Sequence, residues 1–140
     1  MTLTKSTSYK DINRQWHFYD LNGKILGRVA TEIAGILIGK SKSYFVPNLD
    51  CGDYVVVVNS SLVQLTGKKS SQKSYQNFSG YPGGLKKISF KRLIMENPQR
   101  IVKEAVSGML PKNKLRDSML RRLYIYRDDK HPYKNKFEHN

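Results

Sequence analysis

With 140 residues, 39% of them hydrophobic, the chain suits one domain with a core of ordinary size better than two full domains. The single cysteine, Cys51, cannot form an internal disulfide bond; the first residues lack the apolar stretch of a secretory signal; and no apolar run approaches the roughly 18 residues of a membrane span. The 25 Lys and Arg against 11 Asp and Glu leave a net charge of +14, above the magnitude of about 2 to 8 that solubility alone requires, and predict a polyanionic partner.

The first half of the chain predicts a strand, a helix and a second strand. The polar residues 1–15 have no periodicity and are expected to form an arm before a domain over residues 16–127. Trp16–Asp20 has the composition of a strand, and Leu26–Lys40 carries apolar residues at helical spacing. Tyr54–Asn59 contains four consecutive valines, which indicate a central strand covered on both faces in a parallel sheet.

The second half predicts shorter elements around a glycine-rich loop, Gly80–Gly84, and ends in a basic surface tail over residues 128–140. The expected strands are Leu62–Lys69, Lys73–Gly80 and Leu123–Tyr126. The expected helices are Ser89–Glu96, a helix with Asn97 as its cap and Pro98 as its first residue, and Asn113–Arg122.

One segment, Ala34–Ser41 (AGILIGKS), satisfies the loose phosphate-loop pattern of nucleotide-dependent enzymes. A working phosphate loop lies between a strand and the start of a helix, with its backbone N–H groups directed at the phosphates. Here the variable positions belong to the buried face of a predicted helix, Gly39 has the place of its C-terminal stop, and Lys40 follows at the negative end of the helix dipole. We therefore expect no nucleotide or other cofactor and no small-molecule substrate.

Candidate catalytic and metal-binding residues are few. The three histidines and the cysteine lack the spacing of convergent metal ligands. Cys51 lies between carboxylates, which favours the thiol over the nucleophilic thiolate. Asp50 and Asp53 have the chemistry of an acid and base pair, but Asp-x-Gly-Asp also suits a turn before a strand, and we prefer the turn. The sequence predicts no enzymatic activity and no metal site.

Basic residues cluster in the predicted loops and turns, where they are suited to bind phosphates. The clusters are Lys40 and Lys42; Lys68, Lys69 and Lys73; Lys86 and Lys87; Lys112 and Lys114; and Arg121 and Arg122. Nearby Tyr75, Phe78 and Tyr81 are candidates to stack on unpaired bases. A solvated charged face explains any single lysine, but the clusters together favour a nucleic-acid-binding surface.

Several motifs resemble, in their order, those of one family of ribosomal proteins. The most specific is Gly108–Tyr126 (GMLPKNKLRDSMLRRLYIY), supported by DLNGKILGRVAT, CGDYVVVVN, LTGKK and the GYPGG loop. Over about Trp16 to Pro132 the chain resembles the family of the thirteenth protein of the large ribosomal subunit, in its bacterial or organellar form. It departs from the usual pattern at Arg116, where many relatives carry a small residue, and at HPYKNK near its end.

The resemblance implies a three-layer α/β/α domain around a mainly parallel four-stranded sheet. It also implies a structural protein that binds large-subunit rRNA early in assembly, beside neighbouring large-subunit ribosomal proteins, in the cytoplasm or in an organelle and not in a membrane. The phosphate contacts that it implies are Arg28, Lys40, Lys68, Lys69, Lys112, Lys114, Arg121 and Arg122. A nucleic-acid-binding module outside the ribosome shares all the charge evidence and remains the alternative.

Overall fold

A parallel sheet of three strands and a separate antiparallel ribbon form the β structure. The computed structural model of the chain describes residues 5–137; the ends of the expected arm and tail lie outside this range. The strands are β1 (Trp16–Asp20), β2 (Tyr54–Val58), β3 (Ser74–Phe78), β4 (Leu85–Ser89) and β5 (Leu123–Ile125). The helices are α1 (Leu26–Ile38), α2 (Lys69–Gln72), α3 (Phe90–Glu96), α4 (Pro98–Met109) and α5 (Leu115–Arg121).

The valine-rich strand is central, as predicted. The order in the sheet is β1-β2-β5, both pairings are parallel, and Val55 lies opposite His17 on one side and Leu123 on the other. Val55 to Val58 are at most 1% exposed. Because successive side chains of a strand point to opposite faces, both faces of β2 are covered.

The helices pack against one face of this sheet. α1 buries a stripe from Leu26 to Ile38, and the core cluster joins it to Val55 and Val57 of β2 and to Leu123 of β5. α1 also contacts α4 and α5, and α4 contacts α3. The core therefore lies between the sheet and these helices.

Aromatic side chains cover the opposite face. The ring of Trp16 stacks on Tyr54 at 4.5 Å between centroids, and Tyr133 approaches both Trp16, at 5.0 Å, and Tyr124, at 4.7 Å. Phe137 meets the ring of Phe18 at 5.5 Å. The segment after Arg127, expected as a surface tail, thus packs its aromatic residues on the sheet.

The number of parallel strands differs from the expectation of four. Within residues 5–137 the parallel sheet has three strands, and the expected strand Leu62–Lys69 is reduced to one parallel bridge between Ile25 and Gln64. Gly67, with φ +62°, turns the chain directly afterwards, and α2 follows. The turn at Gly67 ends the segment three residues after Gln64, so the pairing seen in the structure is short.

Candidate nucleic-acid interface

Ten of the predicted basic contacts lie exposed on the surface. They are Arg28, Lys40, Lys68, Lys69, Lys73, Lys86, Lys87, Lys112, Lys114 and Arg121. Most belong to loops or to the ends of short elements, so their ammonium and guanidinium groups are accessible to a polyanion. The exposed set is the part of the predicted site that can touch a partner without rearrangement of the fold.

The structure confirms that the AGILIGKS segment is the end of a helix and the residues after it. Ala34 to Ile38 belong to α1, and Gly39 adopts the left-handed conformation at its C-terminal cap, with φ +87° and its N–H donating to the carbonyl of Gly35. The segment therefore lacks the strand, loop and helix order of a phosphate loop. Exposed Lys40 follows the negative end of the helix, where a cation is favoured.

Arg122 is the clearest departure from the predicted site, because its side chain lies inside the protein. It is 7% exposed, donates from Nη2 to the carbonyl of Leu37 at 3.0 Å and from Nη1 to that of Asp53 at 3.3 Å, and pairs with the carboxylate of Asp50. The run of two arginines thus divides its roles: Arg121 faces solvent, and Arg122 joins the end of α1 to the start of β5.

Lys42 is also used within the fold. Its side chain is 13% exposed and forms an ion pair with Asp53, which also accepts hydrogen bonds from His17 Nε2 at 2.8 Å and from the N–H of Gln15 at 3.0 Å. Burial acts to raise the pKa of Asp53, but these hydrogen bonds outweigh it and hold the pKa below its ordinary value. The DCGD segment, expected as a turn, is irregular in the structure, and both of its carboxylates are ion-paired.

The predicted Lys73–Gly80 strand pairs with a strand that the sequence analysis did not predict. β3 and β4 form an antiparallel ribbon in which Phe78 lies opposite Leu85 and Asn77 opposite Lys86. From Lys73 to Lys91 the ribbon and its ends contain four lysines and no acidic residue. The sequence of β4, LKKIS, does not alternate between apolar and polar residues, because two lysines are adjacent. The strand was therefore not recognised from its pattern.

The two faces of the β3–β4 ribbon differ in burial. On the outer face, Phe78 is 62% exposed and Leu85 is 50% exposed, and Tyr81 in the connecting loop is 75% exposed. On the inner face, Tyr75 is 8% exposed and packs against the core. Phe78 and Tyr81 therefore present open rings, whereas the buried ring of Tyr75 cannot stack on a base as predicted.

Two arginines outside the predicted set contact the segments described above: Arg14 the segment before β2, and Arg100 the β3–β4 ribbon. Arg14, in the expected arm, donates to the carbonyl of Gly52 at 2.6 Å and to that of Asp50 at 3.0 Å. Arg100, on α4, lies beside the inner face of the β3–β4 ribbon and pairs with Glu104. Helical spacing could have placed Arg100 outside the apolar face of α4, but only the tertiary fold brings it to the ribbon.

Neither a membrane-spanning helix nor a cluster of metal ligands occurs in the part of the chain that the structure describes. None of the helices over residues 5–137 is long and apolar enough to cross a membrane. Across the same residues, no three His, Cys, Asp or Glu side chains gather in a group that could hold a metal ion.

Comparison with known proteins identifies the family. The model described as "Ribosomal protein L13" matches residues 14–132. A Citrifermentans bemidjiense protein named large ribosomal subunit protein uL13 is 47% identical over 130 residues, covering 93% of this chain and 92% of its own length. Proteins of the same name from Geobacter sulfurreducens and Thermobifida fusca are 46% and 48% identical, covering 95% and 93% of this chain and 93% and 87% of their own lengths. The chain therefore belongs to the ribosomal protein L13 family.

Proposed function

We propose that this protein is a structural constituent of the large ribosomal subunit, which binds large-subunit rRNA early in assembly and lies beside other large-subunit proteins. The observation that carries the proposal is the set of exposed basic clusters at loops and element ends, on a chain whose curated relatives are named large-subunit proteins. The family makes the role structural and not enzymatic. Lysines and arginines neutralise phosphates while the rigid sheet fixes where the RNA segments lie.

The proposed RNA-facing surface consists of the ten exposed basic residues given above, together with the outer face of the β3–β4 ribbon. Phe78 and Tyr81 are suited to stack on unpaired bases. An exposed aromatic ring can bind the base of a nucleotide while neighbouring lysines bind its phosphate. Lys42 and Arg122 are left out because their charges are already paired with Asp53 and Asp50. Recognition of RNA shape should outweigh reading of base edges.

For the fold, we propose that the pairing at Gln64 marks the fourth strand of a mainly parallel sheet. The bridge to Ile25 is parallel and is reinforced by hydrogen bonds from Leu26 N–H to Gln64 O and from Gln64 N–H to Lys24 O. The helices would form one outer layer, and residues 131–137 the other. Slow hydrogen exchange at the amide of Gln64, compared with that of exposed Thr66, would support this arrangement.

The function is tested by binding of the purified chain to large-subunit rRNA over a salt series, with small-subunit rRNA as competitor. We expect selective binding whose logarithm falls by about 0.7 to 0.9 per phosphate contact for each log unit of salt. Neutralising both Lys112 and Lys114 to Gln should reduce this slope by about two contacts. Binding that is equally strong to small-subunit rRNA would indicate generic polyanion affinity and contradict the proposal.

The aromatic contribution has its own matched pair of variants. Phe78→Ala should weaken rRNA binding at least about fivefold, because stacking of a base on an aromatic ring is worth about 1 to 3 kcal/mol. Met95→Ala removes an apolar side chain that is 71% exposed on α3, outside the ribbon, and should leave affinity unchanged. Equal losses in the two variants would remove the stacking role from Phe78.

A further inference from the structure

A narrow cleft lies between the β3–β4 ribbon and α4. Its volume is about 120 Å³, and it is lined by Tyr75, Asn77, Lys86, Lys87, Ile88 and Arg100. Pockets that hold whole small molecules usually measure about 300 to 1,000 Å³. The cleft therefore fits a single small group and not a free nucleotide.

The polar side chains that line this cleft offer hydrogen-bond donors, and none of them is a carboxylate. They belong to Asn77, Lys86, Lys87 and Arg100. Asn77 lies directly opposite Lys86 in the ribbon register, so their side chains share the inner face. A space surrounded by donors and positive charge selects an anion.

Arg100 keeps donors free although it is ion-paired. Its Nε donates to Oε1 of Glu104 at 2.7 Å, and this i, i+4 pair holds the guanidinium over α4. Among residues 5–137, Nη1 and Nη2 of Arg100 make no hydrogen bond. These two nitrogens are the pair that binds phosphate oxygens side by side.

Tyr75 supplies a second, independent observation. Its side chain is more than nine-tenths buried, and its hydroxyl oxygen is buried without a hydrogen-bond partner among the described residues. An unsatisfied buried hydroxyl costs folding free energy and is uncommon in folded proteins. Burial raises the pKa of Tyr75, so the hydroxyl keeps its proton and acts as a donor.

We propose that this cleft binds one phosphate group of the RNA backbone, held by Arg100, Lys86, Asn77 and the hydroxyl of Tyr75. The proposal rests on the proposed RNA-binding function and locates one of its contacts. It gives Tyr75 the role of a hydrogen-bond donor and not of a stacking ring. The outer face of the ribbon, with Phe78, remains free for a base of the same strand.

The sharpest test is Tyr75→Phe, which removes one oxygen atom and leaves the packed ring. If the hydroxyl has no partner in the complex, the change leaves rRNA affinity unaltered. If it donates to a phosphate, affinity falls about tenfold, since a hydrogen bond to a charged group has roughly that value. Urea unfolding of the free protein should show equal or greater stability for Tyr75→Phe, because an unsatisfied buried group is removed.

Arg100→Gln is compared with Arg92→Gln as its matched control. Arg92 forms the same kind of i, i+4 pair, with Glu96 at 2.8 Å, but lies on α3 and does not line the cleft. Both variants lose one positive charge and one helical ion pair. We expect Arg100→Gln to weaken rRNA binding about tenfold more than Arg92→Gln does; equal effects would overturn the inference.

The outcomes separate this inference from the proposed function. If the unmodified protein does not select large-subunit rRNA, the proposed function fails. If it does, and Tyr75→Phe binds like the unmodified protein and Arg100→Gln like Arg92→Gln, only the cleft is wrong. Inorganic phosphate is added as a competitor at constant ionic strength. A backbone phosphate site is supported if phosphate weakens rRNA binding by the unmodified protein and no longer does so in Tyr75→Phe. Saturable phosphate binding without competition would overturn it.

Discussion

The guanidinium of Arg122 and the carboxylate of Asp50 form an ion pair inside the protein, although 72 positions separate them in the chain. The side chain of Arg122 is 8% exposed and that of Asp50 is 13% exposed. Because Arg122 also donates to the carbonyl of Leu37, one side chain joins the end of α1, the segment before β2 and the start of β5. This cation is therefore committed to the fold.

Replacement of Arg122 should therefore destabilise the protein far more than replacement of its neighbour. Arg122→Ala leaves Asp50 with only the more distant Arg14, at 3.8 Å, and should lower the free energy of unfolding by about 3 to 5 kcal/mol. Arg121→Ala changes an exposed side chain and should cost less than about 0.5 kcal/mol. Urea denaturation measures both; similar midpoints would contradict the buried pair.

Asp53 predicts how stability depends on pH. Its pKa is lowered in the folded state, so its ion pairs contribute stability above the unfolded value of about 3.9, and this contribution disappears as pH falls through the lower folded value. Asp53→Asn should therefore be much less stable than the unmodified protein at pH 6 and closer to it at pH 3. Urea titrations at the two pH values test this, and a difference independent of pH would argue against it.

The only tryptophan reports on the aromatic face of the sheet. Tyr133→Ala removes a ring 5.0 Å from Trp16 and 4.7 Å from Tyr124, and should cost about 1 to 2 kcal/mol while shifting Trp16 emission to longer wavelength. Tyr9→Ala, at a residue that is 77% exposed, is the control and should change neither quantity appreciably. An unshifted spectrum in Tyr133→Ala would mean that the tail does not cover Trp16.

Replacing Gly35 or Gly52, which both lie close to the end of α1 in the fold, by alanine should change the stability of the protein in opposite directions. At Gly35, inside the helix, an added Cβ meets no atom within 4 Å, so Gly35→Ala should stabilise the protein by about 0.5 to 1 kcal/mol. At Gly52 the added Cβ would lie 1.8 Å from the carbonyl oxygen of Leu37, and the variant should be destabilised by more than about 3 kcal/mol. Thermal unfolding distinguishes them, and a stabilised Gly52→Ala would disprove the close packing.

Patterns that depend on neighbouring residues were predicted well. The composition of β1, the valine run of β2, the helical spacing of α1 and the stop at Gly39 all express local physics, and the structure has each of them. The family resemblance, which rested on motifs in order along the chain, was confirmed by the match to the family model and to the relatives. By contrast, β4 depends on its partner strand, and its two adjacent lysines obscured it.

The candidate site was harder to predict because a basic side chain looks the same in sequence whether it is exposed or paired. Arg121 and Arg122 are adjacent in the sequence, but neighbouring side chains at the end of a helix point in different directions. Arg121 meets solvent, and Arg122 is buried. Asp50, the partner of Arg122, lies in a distant segment that was interpreted only as a turn. The position of Arg100 beside the ribbon likewise depends on tertiary packing.

The parallel pairing of β5 with β2 and the contact of Tyr133 with Trp16 also constrain when the protein can fold during synthesis. β2 gains its second neighbour in the sheet only when residues 123–125 have been made, and the ring of Trp16 is covered only when Tyr133 has been made. Until then one edge of β2 lacks its partner and the aromatic face lies open to solvent. Completion of the sheet thus waits for synthesis of residues 123–137, and a nascent chain arrested at residue 122 should hold an incompletely protected Trp16.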